Sequence, residues 1–226
     1  MPRAARYILP GFPHHVTQRG NRRQQTFFSD GDYQLYLDLL RQGCQRYAVA
    51  CWAWCLMPNH VHLVLEPPDE AALAALLKQV HQAYTRRINA REKWTGCLWQ
   101  GRFASCAMDE AHALAAVRYV ELNPVRARLC ARAEDWPWSS VEAHVNGRPE
   151  PMLAEVPFLK RIADWRRYLA EGLDAQTEAR IGYFTGTGFP LGAETWIAGL
   201  ERKAGRSLRP RPVGRPENRD EKAQGV

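Results

Sequence analysis

Residues 48–66 read "AVACWAWCLMPNHVHLVLE", two apolar runs with only Pro58 and Asn59 between them. Such runs, rich in β-formers and split by a Pro-Asn turn signal, predict two neighbouring antiparallel strands. The hairpin commits the chain to a sheet core, where an imidazole is an awkward guest. Strand side chains alternate between faces, so His60 and His62 point one way while Val61 and Leu63 point the other. Two such imidazoles repel when protonated and can jointly ligate a divalent cation when neutral. An isolated His-x-His is more often a hydrogen-bonded pair, so a site requires a third ligand.

The remaining elements arrange themselves around that hairpin. "HHVTQRG" reads as a first strand ending in a Gly-Asn turn, followed by an arginine-rich loop. Ser29 or Asp30 caps a helix through "YQLYLDLLRQGCQRYA", and a second helix spans "DEAALAALLKQVHQAYTRRINARE". "GCLWQGRFASCAM" supplies a loop and a fourth strand. "DEAHALAAVRYVELNP" is a helix capped by Asp109 and stopped at Asn123-Pro124. The order β–α–β–β–α–β–α predicts an α+β fold, a ferredoxin-like antiparallel sheet with helices on one face. Residues 1–147 would form this domain and 148–205 a helical extension. In the extension, "VPFLKRIADWRRYLAEG" and "GAETWIAGLERKAGRSL" read as helices with one apolar and one basic face. Residues 206–226 are basic and Pro-rich, a tail expected to be disordered alone.

Charge narrows the partner. Lys and Arg number 31 against 24 Asp and Glu, a formal +7, and the pI is about 9.3. No acidic residue precedes Asp30, whereas Arg3, Arg6, Arg19, Arg22 and Arg23 all do. The stretch from Arg202 to Val226 holds eight basic and three acidic residues. Basic charge at both ends favours a polyanion such as nucleic acid. No secretory signal or bilayer-length apolar run is visible, so a cytoplasmic, nucleoid-associated protein without a membrane partner is expected. The six cysteines form no CxxC pair and read as buried small hydrophobes.

"RYVELNPVR" offers the missing ligand. Tyr119 and Asn123, four apart, share a helix face, so an amide oxygen could complete a hard-cation site beside a phenol able to act as nucleophile. Taken singly, Asn123 reads as a helix stop and Tyr119 as a core residue. The set makes chemical sense for phosphodiester attack, because neutral ligands leave the cation nearly its whole charge with which to stabilise the transition state.

"HHVTQRGNRRQQTFF", "MPNHVHLV", "LWQGRF" and "YVELNPVRA", in that order, resemble the REP-associated tyrosine transposases, a single-tyrosine branch of the HUH endonucleases. The likeness covers about residues 1–145. It implies an enzyme that nicks and rejoins single-stranded DNA beside palindromic-repeat hairpins, using Mg²⁺ or Mn²⁺. His60 and His62 match the paired metal ligands, Asn123 the third ligand, and Tyr119 the nucleophile that forms a 5′-phosphotyrosine link. Many mobile relatives carry Gln where Asn123 stands. Arg19, Arg22 and Arg23 are assigned phosphate contacts. Arg102 and Phe103 are assigned a phosphate contact and a stacking ring, and Arg126 a phosphate clamp. Trp94 and Trp99 are candidates for either stacking or core. Gly214-Arg215-Pro216 has the look of a minor-groove hook, although three residues fit a solvated tail better. Mobile relatives exchange the tyrosine helix within dimers; here the extension favours a monomer. A hairpin-binding module that no longer cuts, or a phosphodiesterase that does not need Tyr119, are the competing readings.

Overall fold

The computed structural model describes residues 7–210. Four strands, β1 (His14–Arg19), β2 (Ala50–Met57), β3 (His60–Glu66) and β4 (Ala104–Ala107), form one sheet in the order β2-β3-β1-β4. Every pairing is antiparallel. Pro58 and Asn59 make the tight turn of the β2–β3 hairpin, which closes on the pair Met57 and His60. The predicted α+β, ferredoxin-like order is present.

Helices α1 (Asp30–Arg46) and α2 (Ala72–Glu92) cover one face. α1 starts at a capping box built by Ser29 and Asp32. Asp32 also takes a two-pronged bond from Arg91, tying the start of α1 to the end of α2. Gly43 sets their approach, since a Cβ there would sit 2.4 Å from Leu76 Cδ1. Beneath them Val16, Leu56, Val61, Leu63 and Leu65 meet Leu40, Leu73, Leu76 and Val80, with Phe27, Tyr36, Tyr84 and Trp99 closing one end.

The other face is covered too, which the sequence reading did not anticipate. Helix α3 (Glu110–Glu121) lies against β2 and β3. Its Ala113 and Ala116 are fully buried, so the helix sits close to a sheet surface of small residues, Ala53, Cys55, Val64 and Cys106. Asp109 caps it, and after Leu122 the chain passes into the short α4 (Asn123–Arg126), with Pro124 in its first turn. Then come α5 (Val141–Asn146), α6 (Trp165–Ala170), α7 (Ala175–Thr187) and α8 (Glu194–Ala204).

The extension is helical but has no core apart. Val156, Leu159, Ile181 and Leu191 belong to the same apolar cluster as Val64, Cys106 and Val117. Its chain also bridges both sheet edges, Leu153 beside Cys51 of β2 and Leu191 beside Met108 just past β4. Two expectations need correction. Residues 156–172 are a 3-10 turn (Leu159–Arg161) and the short α6, because Ile162 is extended and Asp164 caps a fresh start. Four cysteines are buried, but Cys97 is exposed and Cys130 only half-buried, both lying outside the strands and helices. Among the described residues, no helix is long and apolar enough to cross a membrane. The Gly214-Arg215-Pro216 motif and most of the basic tail lie outside the described residues.

Candidate active site

Three strand positions and one helix build the site. On β3, His60 and His62 face α3; Thr17 of β1 pairs with His62 and Arg19 with His60, which puts His15 on the same face. Tyr119, in the last turn of α3, stands edge-on to both rings, its centroid 5.5 Å from His15 and 5.8 Å from His62. His60 and His62 are 4.8 Å apart, centroid to centroid. The four rings line one end of the face, where α3 stops and the sheet's apolar cover ends.

The hydrogen bonds show which nitrogens remain for chemistry. Asn59 Nδ2 donates to the Arg23 carbonyl at 2.9 Å, so its Oδ1 is the acceptor facing His60 Nδ1 at 2.6 Å. His60 therefore carries its proton on Nδ1 and its lone pair on Nε2. His62 Nδ1 lies 3.0 Å from His15 Nε2, and His15 Nδ1 lies 2.7 Å from Thr185 Oγ1. Burial disfavours the charged forms: His15 is pushed down to about 3, His60 to about 4 by burial and Arg19, and His62 well below its ordinary value by burial and the neighbouring His15. Neutral imidazoles are what metal ligation requires.

Asn123, the expected third ligand, is buried and donates from Nδ2 to the Tyr119 carbonyl at 2.9 Å. That bond leaves its Oδ1 as the donor atom, and it anchors α4 to the turn bearing the tyrosine. Among the described residues no three His, Cys, Asp or Glu side chains are grouped to hold an ion. Two imidazoles plus an amide oxygen nevertheless fit a hard divalent cation by donor chemistry.

The predicted DNA-contacting residues fall on two sides. Arg19 and Arg102 line a cleft of about 460 Å³ floored by His15, His62 and Tyr119, and Phe103 forms part of its wall. Arg22 and Arg23 are exposed on a tight 3-10 turn after β1, both with positive φ. That turn hangs from Gly20, whose N–H bonds to the Asn59 carbonyl at 2.8 Å and where a Cβ would sit 2.3 Å from the Gln24 carbonyl oxygen. Only glycine fits there. Arg126 lies over the Tyr119 ring at 4.3 Å and pairs with Glu178 of α7 at 3.0 Å. Trp99 is core, while exposed Trp94 packs edge-on to Phe28.

Two residues escaped sequence reasoning. His15 carried a signal, since alternation along "HHVT" puts it in step with Thr17 on the face that pairs with His62. Thr185 carried none: it sits in α7, whose glycines hid the helix. The cleft's far wall is Gly182, Gly186 and Gly188 of the same segment.

The family model for IS200-like transposases matches residues 11–123. The chain belongs to the IS200-like transposase family. The match takes in His15, His60, His62, Tyr119 and Asn123, and ends before α7. A Haemophilus influenzae protein named as a REP-associated tyrosine transposase is 25% identical over 122 residues, spanning 49% of this chain and 69% of the relative. A REP-associated tyrosine transposase solved with a REP hairpin superposes with a TM-score of 0.53 at 22% identity, covering 69% of this chain and 93% of that one. The superposition speaks for the shared fold.

Proposed function

We propose that this transposase nicks and rejoins single-stranded DNA next to a repeat hairpin, with Tyr119 as the nucleophile. The observation that carries the reading is the Tyr119 phenol, held edge-on against paired buried imidazoles on the floor of a basic cleft. Tyr119 Oη gives up its proton and attacks a backbone phosphorus; the bond to the 3′ oxygen breaks and that oxygen takes up a proton, leaving a 5′-phosphotyrosine and a 3′-hydroxyl. Keeping the phosphodiester's energy in the tyrosyl link allows rejoining. Mg²⁺ or Mn²⁺ held by His60, His62 and Asn123 would polarise a phosphate oxygen and offset charge in the transition state.

The chain's own groups do the positioning. Arg126 stacks on the phenol and is itself held by Glu178, so its guanidinium would lie close to a phosphate attacked by Tyr119. Arg19 and Arg102 flank the cleft, and Arg22 and Arg23 extend that basic surface past the β2–β3 turn. Gln18 Oε1 and Ser105 Oγ, both on the cleft lining, are buried without a hydrogen-bond partner among the described residues. Gln18, Arg102 and Phe103 also border a second groove of about 830 Å³ along α2, where Lys78 and Arg86 continue the positive path. Packing of α6 and α7 onto α3 in the same chain supports a monomer.

The test is a labelled single-stranded hairpin incubated with protein and Mn²⁺, then resolved under denaturing conditions. An adduct that survives, and vanishes in Tyr119→Phe while hairpin binding persists, is the expected result. Binding without cleavage would instead indicate a module that has lost its chemistry. Cleavage that survives Tyr119→Phe would indicate a phosphodiesterase.

A further inference from the structure

Thr185 belongs to α7, outside the segment that matches the family model, yet its hydroxyl reaches His15, which in turn bonds His62. That hydroxyl has one proton. It goes to the Ile181 carbonyl at 2.7 Å, the back-bond a threonine in a helix often makes to the residue four before it. Towards His15, Thr185 Oγ1 is therefore an acceptor, and His15 Nδ1 must carry hydrogen to meet it at 2.7 Å. The Cys106 thiol, 3.4 Å away, can donate to the second lone pair of the same oxygen.

The consequence passes down the chain. His15 and His62 are buried, and their hydrogen-bond partners here are neutral groups. A neutral His15 protonated on Nδ1 has its lone pair on Nε2, so the 3.0 Å bond to His62 is donated by His62 Nδ1–H. His62 is left with its lone pair on Nε2, matching the tautomer that Asn59 imposes on His60. Were the Thr185 proton turned towards His15, every proton in the row would shift and His62 Nε2 would be blocked.

We infer that Thr185 of the C-terminal extension is a positioning residue: through His15 it sets the tautomer of His62 so that Nε2 is presented as a cation ligand. The inference rests on the proposed role of His62. It also gives the extension a part in the chemistry beyond covering the sheet. Outer-shell partners of ligating histidines typically change metal affinity about 10- to 100-fold when removed.

Nitrogen correlation spectra of the histidine rings in the metal-free full-length protein read the tautomers directly. The expected result is His62 and His60 both protonated on Nδ1. In Thr185→Val, which keeps the shape and removes the acceptor, His62 should shift towards the Nε2-protonated form. Mn²⁺ binding by calorimetry should then weaken about 10- to 100-fold, and Thr185→Ser should restore both. An Nε2-protonated His62 in the unaltered protein overturns the inference. So does a Thr185→Val protein with unchanged tautomers and Mn²⁺ affinity. If Thr185→Val does not fold, the tautomers of the unaltered protein still decide the matter. Because these readouts need no DNA, they stand apart from whether the protein cuts a hairpin.

Discussion

The two faces of one four-stranded sheet use alternate residues of the same strands for opposite ends. Towards α1 and α2 the strands send Val16, Leu56, Val61, Leu63 and Leu65 into a cluster walled by tyrosines, Phe27 and Trp99. Towards α3 and α7 they send Ala53, Cys55, Val64 and Cys106, then His15, His60 and His62 at the open end. The first face gains stability from large apolar side chains. The second keeps small residues so that an alanine-rich helix can come close, and accepts buried polar groups whose hydrogen bonds must all be supplied. Adjacent residues such as Val61 and His62 thus serve different purposes.

Substitutions can separate the faces. The largest effect should come from His62→Ala, expected to lower strand cleavage by about 10²–10³-fold or more, while the unpaired His15 Nε2 it leaves should cost about 1–3 kcal/mol of stability. Single-turnover assays on the folded variant measure the cleavage. One residue along, Leu63→Ala empties a fully buried site on the other face and should cost about 2–5 kcal/mol in denaturant unfolding, with cleavage by the remaining folded protein near normal. If the two variants gave the same profile, the division of labour would be wrong.

Acid should act through buried imidazoles on both faces. His14 and His60 are held near 4, His15 and His81 near 3, all chiefly by burial. The unfolded chain therefore binds more protons than the folded one below about 6.5, so stability is full above that pH and declines as it falls towards 4. Each group adds a slope of up to about 1.4 kcal/mol per pH unit. Urea titrations between pH 7 and 4 should show the decline; a flat profile would mean that these rings protonate without penalty.

The smallest effect concerns the glycine wall. An added Cβ at Gly186 meets nothing within 4 Å, and the residue lies inside α7. Gly186→Ala should stabilise the fold by roughly 0.5–1 kcal/mol. Gly186→Leu should fold and yet weaken hairpin binding by narrowing the cleft. Undiminished binding by the leucine variant would place the DNA elsewhere.

Much of the first face was legible beforehand, because strand alternation and helical stripes report apolar burial directly. Period-two spacing also put His60 and His62 on one strand face, and period-four spacing put Tyr119 and Asn123 on one helix face. That the two faces meet was implied only by the family resemblance. What lay hidden were contacts between residues far apart in the chain. Thr185 reaches His15 across 170 positions, from a helix whose Gly182 and Gly186 weaken the usual helical signal. Leu153 and Leu191 close the sheet edges as isolated bridges too short to leave a pattern. The break before α6 turned on Asp164 acting as a cap within an otherwise helical-looking run.

Anomalous diffraction from Mn²⁺-soaked crystals of the full-length protein tests the central claim most directly. The account predicts one strong peak within bonding distance of Nε2 of both His60 and His62, on the side of the sheet that holds Tyr119. A peak bound through Nδ1, or an ion bound only away from the histidine pair, would contradict it.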